Sequence, residues 1–208
     1  MGPKGKKAVA LAPDWPGLAR GAKTADEALE RLRAYVPRYA PVADLARMAA
    51  QFDTNPNIEV VERYQGAGST DFWGISFAFS SIDKQAMSSD ELERQLTLLR
   101  ACWSFFDDIR NRVSAELQRG PKGGGRSRDE IVHHVLINEQ LWAKKLGLVT
   151  SPESSVGAHR EAYCAAIRTY NLESKSARTW PLRYLIRHTA YHALDHTWEM
   201  EDKDLRDV

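Results

Sequence analysis

The feature that most constrains the fold is an apolar repeat that begins after about residue 86. Large apolar side chains recur every three or four residues at Leu92, Leu96, Leu99, Trp103, Phe106, Ile109 and Val113. An α-helix completes a turn in about 3.6 residues, so this spacing places the side chains on one helical face. The pattern predicts a long helix, capped by Ser89 and ending near Gly120, with its apolar face buried against other helices.

Three further helices are predicted after the first. One begins at the N-cap Ser127, with Glu130 completing a capping box, and ends at Gly147. Another covers about residues 155–170, and the last runs from Pro181, a residue suited to a first turn, to about residue 201. Four helices joined by loops predict a helical bundle over residues 86–208.

A glycine-rich stretch separates the first two of these helices. Residues 119–128 contain a proline, a run of three glycines and several basic side chains. Ordering such a backbone has a high entropic cost, so a mobile loop is predicted. Its basic residues are interpreted as a solvated connection, and contact with an anionic partner is the alternative.

Residues 1–85 have a mixed pattern. We predict a short strand at residues 7–12 and a helix that starts at the N-cap Thr24 and ends at Pro37. Further elements are expected as a helical piece at residues 41–51 and strands at residues 58–64 and 72–79. The fold class is therefore α+β and mainly α, with a small N-terminal α+β module at 1–85 followed by the bundle.

Composition excludes several classes of protein. The 29 lysines and arginines nearly balance 28 acidic residues, and the net charge of +1 favours neither a nucleic-acid nor a membrane partner. Cys102 and Cys164 are far apart and within predicted helices, so we interpret them as buried thiols in a reducing cytoplasm. The N-terminus lacks a signal-peptide core, and no segment is long enough to span a membrane.

Three histidines stand at four-residue intervals in the last predicted helix. His188, His192 and His196 each lie about 40° round the helix from the previous one. With Leu182 at zero, the apolar arc covers roughly 0–80°, while His196 lies near 320°, His192 near 280° and His188 near 240°. His192 and His196 are therefore predicted to border the core, and His188 to lie further toward solvent.

The helix that starts at Ser127 carries two adjacent histidines. His134 lies at the edge of its apolar arc, whereas His133 points well away. His134, His192 and His196 are therefore nominated as one set of metal ligands, with His133 and His188 as alternates. Ordinary surface histidines bonded to their neighbours are the alternative, because this spacing is only moderately specific.

Three carboxylates accompany these histidines. Glu139 falls within an apolar arc, so it is a candidate catalytic base or ligand-orienting group, or else it pairs with an arginine such as Arg100 or Arg183. Asp195 and Glu199 follow His192 and His196 by three residues and can hold the second nitrogen of each imidazole. A solvated acidic face is the alternative for both.

The two histidine-bearing segments resemble the DinB-like superfamily, which includes YfiT-type putative metal-dependent hydrolases and mycothiol- or bacillithiol-dependent transferases. The resemblance covers about residues 88–202 and is carried by residues 127–147 and 181–202. It implies an up-down-down-up four-helix bundle with a three-histidine site for a divalent ion, often zinc or nickel. The family's ligands would fall on His134, which precedes Val135, and on the pair in the last helix.

A shorter resemblance concerns the N-terminal part. The stretch from Trp15 to Leu29 is similar to the turn and helix start of HicB-like antitoxin domains. Together these observations give a hypothesis: a divalent-metal protein, acting as a metal-dependent hydrolase or a thiol-dependent transferase with a low-molecular-weight thiol. The alternative is a non-enzymatic metal-binding or protein-interaction module. We expect an unassigned small-molecule substrate, no nucleic-acid or membrane partner, and allow a homodimer.

Overall fold

A computed structural model describes residues 1–121, 123–149, 151 and 153–206. Within these ranges the chain is mainly helical and has one small antiparallel sheet, as the predicted mainly α, α+β class requires. The elements, in chain order, are β1 (Ala8–Leu11), β2 (Ala19–Ala22), α1 (Ala25–Leu45), α2 (Gly68–Trp73), α3 (Ser89–Arg112), α4 (Arg128–Ala143), α5 (Val156–Leu172) and α6 (Leu182–Asp202).

Side-chain caps fix the starts of most of the long helices. The capping boxes predicted at Thr24 and Ser127 are both present and begin α1 and α4. The cap of α3 is Ser88 rather than Ser89, since its hydroxyl accepts from the amide of Glu91. This helix ends at Arg112 and not near Gly120, because Val113 is already extended.

The prediction that Pro37 ends the first helix is wrong. Helix α1 continues to Leu45 with Pro37 and Pro41 inside it. Each proline removes one backbone hydrogen bond, which destabilises an isolated helix. Tyr39 lies between the two prolines and Val42 follows the second, and neither side chain has any exposed surface. The packing of these side chains in the core offsets the lost hydrogen bonds.

The strand predictions of the N-terminal part are only partly correct. Strand β1 matches the predicted segment, and it pairs with β2, which the sequence reasoning missed. Residues 58–64 are irregular and form no strand. Residues 72–79 are not a strand either, because Trp73 ends α2 and Gly74 follows in a left-handed conformation, φ 73°.

One hydrophobic core runs through both parts of the chain. Helix α3 packs most extensively on α6, which also contacts α4 and α5, while α1 covers α3 and the sheet. Leu32 and Val36 of α1 belong to the same buried cluster as Leu96 and Phe106 of α3. The core is thus continuous across the division predicted near residue 86. No helix in the described ranges is long and apolar enough to cross a bilayer.

The glycine-rich connection between α3 and α4 contains local hydrogen bonds. The Gly120 amide donates to the Gly124 carbonyl, and the Arg119 guanidinium donates to the Gly125 carbonyl. Lys122, which belongs to the predicted mobile loop, lies outside the described residues. The loop therefore turns back on itself before Ser127 starts α4.

Candidate metal centre

Helices α4 and α6 bring three of the predicted site residues together. His134 of α4 faces His192 and His196 of α6, and one ring nitrogen from each lies within 4.8 Å of the others. The Nε2 atoms of His134 and His192 are 3.1 Å apart. The rings of the two α6 histidines are 4.7 Å apart between centroids. Three imidazoles from two helices therefore converge on one small region.

The helical phase explains this convergence. His192 and His196 are one turn apart on α6, so their rings lie on adjacent levels of one face. Helix α4 packs against that face and presents His134. The neighbouring His133 is exposed and is absent from the cluster, as its predicted angle indicated.

Neighbouring side chains hold two of these rings in place. Nδ1 of His196 lies 2.7 Å from a carboxylate oxygen of Glu199, whose second oxygen accepts from Lys203. The amide of Asn138 donates to the His134 carbonyl at 2.9 Å and lies 3.4 Å from the Nδ1 of that ring. Both contacts leave the Nε2 side of the ring directed toward the cluster.

Burial favours the neutral, metal-binding form of His134 and His192 by lowering the pKa of each ring. Desolvation, followed by the proximity of His196 and His134, lowers the pKa of His192 to about 2. Desolvation also lowers the pKa of His134, and the nearby His196 and Arg126 act in the same direction. These two imidazoles consequently retain free lone pairs at neutral pH.

The donor set fits a divalent transition-metal ion. Zinc holds imidazole nitrogens at about 2.0–2.1 Å, which separates two ligand nitrogens by roughly 3.4 Å in a tetrahedral site. The 3.1 Å contact between His134 and His192 is close to this value. The Nδ1 of His192 is also buried with no hydrogen-bond partner among the described residues. Small ring rotations would thus suffice to place three nitrogens around one ion.

Asp195 does not contact His192 in the way the sequence suggested. Its carboxylate accepts instead from the Arg20 guanidinium at 2.8 Å. That guanidinium is enclosed between the rings of Tyr35 and Trp198, 3.7 and 4.1 Å from their centroids. Asp195 thereby ties the β2 strand to α6, and of the two predicted orienting carboxylates only Glu199 contacts a histidine.

Glu139 lies in a buried ion pair with an arginine, as one of the two interpretations predicted, but the arginine is neither of the two examples named. Both of its oxygens accept from Arg160 at 3.1 Å, while Arg100 and Arg183 pair with other carboxylates. Arg160 also donates to Asp107. Glu139 is 1% exposed, and burial raises the pKa of its carboxyl against the opposing effect of Arg160. The catalytic role assigned to it stays a prediction, and its contacts lie with α3 and α5.

His188 is buried, so the expectation that it points toward solvent is wrong. It is only 4% exposed, because aromatic rings surround it that the helical angle alone could not reveal. Trp142 touches both His188 and His192, with centroid distances of 4.8 and 5.0 Å. Trp180 and the stacked Tyr184 complete the enclosure. The sequence contained only one signal for this wall, namely the high tryptophan content.

Comparison with protein-family models gave no match to this chain. Comparisons with curated proteins and with solved structures gave none either. The function of the chain is therefore inferred from the geometry of its site.

Proposed function

We propose that His134, His192 and His196 bind a divalent transition-metal ion and that the protein is a metal-dependent enzyme of the DinB-like type. The observation that carries the proposal is the convergence of three imidazoles from α4 and α6, with one ring nitrogen of each within 4.8 Å of the others. Three protein ligands leave a coordination position open for water or substrate, which is the arrangement of catalytic rather than structural zinc sites. A DinB-like four-helix arrangement of α3–α6, with residues 1–85 as an appended module, is part of the same proposal.

The residues around the histidines support such a role. When bound, a zinc or nickel ion would supply Lewis-acid activation of a water or thiol. Glu199 orients His196 and is itself held by Lys203, so this ligand needs little reorganisation. Trp142 covers one side of His192 and excludes water there.

A thiol reaction would need an external thiol. The two cysteines of the chain are buried, and burial raises the pKa of Cys164 to about 11 and that of Cys102 well above its usual range. Neither can supply a thiolate at neutral pH. The transferase form of the proposal therefore requires a low-molecular-weight thiol, whereas the hydrolase form requires only water.

Metal analysis tests the proposal directly. Protein purified without a histidine tag is incubated with zinc or nickel, desalted and analysed by mass spectrometry for metal content. We expect about one ion per chain, and near-background binding for the double variant His192→Ala/His196→Ala. The matched control is His133→Ala, since this exposed histidine adjoins His134 but is absent from the cluster. Less than about 0.2 ion per chain in the unaltered protein would refute metal binding.

The enzymatic part has its own test and a specific alternative. Metal-dependent turnover in a panel of ester, amide and thiol-conjugation substrates, lost in His134→Ala, is expected of an enzyme. Glu199 is engaged by His196 and Lys203, Glu139 by Arg160 and Asp195 by Arg20, which leaves none of the three predicted carboxylates free as a general base. This observation favours a non-enzymatic metal-binding protein as the second candidate, and stoichiometric metal without turnover in the panel would select it.

A further inference from the structure

A cavity of about 290 Å³ lies between strand β1, helix α1 and the extended segment 58–64, and none of the three histidines lines it. Every residue of β1 and every residue of the segment lines it. Its walls are mainly apolar, with contributions from Val9, Leu11, Leu29, Leu32, Ile58 and Val60. The cavity is thus an elongated groove that follows a strand.

Strand β1 has a free edge on the side of this groove. The amide of Ala12 donates to Leu18, and the register pairs Ala10 with Arg20. Bonded and non-bonded pairs alternate in an antiparallel ladder, so the backbone of Val9 and Leu11 points away from β2. Neither residue has a hydrogen bond on that outer edge to any part of the described chain. Two N–H and two C=O groups therefore remain free beside the cavity.

The opposite wall is also an unpaired backbone. Residues 58–63 include three β-branched apolar residues and were predicted as part of a strand, yet they form no backbone hydrogen bond within the described ranges. The hydrogen bonds that hold the segment lie near its C-terminal end, where the N-terminal amine donates to the Tyr64 carbonyl and Ser81 donates to the Glu62 side chain. A strand-like segment and a free strand edge thus face each other across an apolar gap.

The charge of the groove favours a neutral occupant. Its charged lining consists of two acidic side chains, Glu59 and Glu62, and two positive groups, Arg63 and the N-terminal amine of Met1. This balance complements neither a phosphate nor a polyanion. A neutral molecule that offers alternating donors and acceptors together with small apolar groups satisfies both the backbone edges and the walls.

We propose that this groove binds an extended, neutral peptide of about four residues, which pairs as a strand with β1 on one side and with residues 58–63 on the other. The length follows from β1, because four residues of strand extend about 13 Å. With the peptide bound, β2, β1, the peptide and residues 58–63 would lie side by side as four strands. Apolar side chains of the peptide would fill the space between Leu29, Leu32 and Val60.

The test uses the full-length protein and the capped peptide Ac-Thr-Val-Thr-Val-NH2, followed by amide NMR. We expect saturable shifts of the Val9, Leu11 and 58–63 amides. Val9→Pro should weaken binding about fivefold, the loss of one net hydrogen bond, since it removes an outward donor and spares the bonds to β2. The matched control Lys23→Ala alters an exposed residue just beyond β2 and outside the groove, and should bind as the parent does.

Two peptide analogues make the test independent of variant folding. In each, one of the two alternating sets of backbone nitrogens is methylated, which removes the donors toward one flanking edge. Both should bind at least about fivefold more weakly, because both edges of the peptide are used.

Three outcomes would overturn the proposal. The first is the absence of shifts at about 5 mM peptide, where a ligand of millimolar affinity is mostly bound. The second is that both methylated analogues bind as tightly as the unmethylated peptide, which would mean that the cavity selects apolar side chains without using the peptide backbone. The third is hydrogen-exchange protection of the Val9 and Leu11 amides equal to that of Ala10 in the free protein. In that case residues 58–64 close the groove themselves.

Discussion

Replacing Glu139 by glutamine should destabilise the protein and leave metal binding at the proposed three-histidine site unchanged. The two carboxylate oxygens accept from Arg160 at 3.1 Å, and the two side chains are 1% and 7% exposed. Removing one partner of such a buried pair costs about 3–5 kcal/mol, because the remaining charge stays desolvated. Arg160 keeps its 2.8 Å contact with Asp107, so we expect the lower end, about 3 kcal/mol.

Urea unfolding followed by tryptophan fluorescence measures this loss. For a chain of this size, about 3 kcal/mol corresponds to a decrease of roughly 6–12 °C in Tm. The control is Glu161→Gln, which removes the partner of Arg100 on the surface of α5, where the carboxylate is 68% exposed. That substitution should cost less than about 0.5 kcal/mol, since exposed ion pairs contribute little.

A catalytic role of Glu139 would give a different result. If Glu139 takes part in the chemistry at the histidines, Glu139→Gln will abolish turnover while the free energy of unfolding stays within about 1 kcal/mol of the parent. That outcome would refute the structural interpretation of the Glu139–Arg160 pair. Metal content measured on the same sample is the control for both cases, because Glu139 bonds Arg160 and is absent from the histidine cluster.

Two further predictions concern stability. The buried ion pair with Arg187 lowers the pKa of Asp83 against the effect of desolvation, so the unfolded state binds more protons at acid pH. The free energy of unfolding should therefore fall as the pH drops below about 4. In urea unfolding at a series of pH values, Asp83→Asn should make this fall shallower. Gly17→Ala should destabilise the protein by about 1–3 kcal/mol, because Gly17 has φ 95° and a Cβ there would lie 2.7 Å from Leu194. Gly157→Ala in α5 is the control, since its Cβ would meet no atom closer than 4.0 Å and the substitution should be neutral or stabilising. Calorimetry measures both effects.

The helices and the three-histidine cluster could be predicted because they depend on local periodicity. The helical phase alone separated His134 from His133 and placed His192 and His196 at the border of the core. The same reasoning failed for His188, because its exposure depends on tryptophans from other parts of the chain. A helical wheel gives an angle within one helix, and it carries no information about what covers that face.

The sequence also could not predict which residues, distant along the chain, pair with one another. Glu139 was correctly expected to need a counter-ion, yet the choice of Arg160 over Arg100 depends on how α5 packs beside α4. Residues 58–64 show the same limit for backbone groups, since their β-branched and aromatic residues favour a strand but do not show whether a neighbouring strand edge is within reach. Here β1 presents a free edge across a cavity instead of a bonded partner. The sequence predicts a strand at residues 58–64, and the structure leaves this segment without a bonded neighbour. Both findings are explained if a peptide from another molecule supplies the strand between this segment and β1.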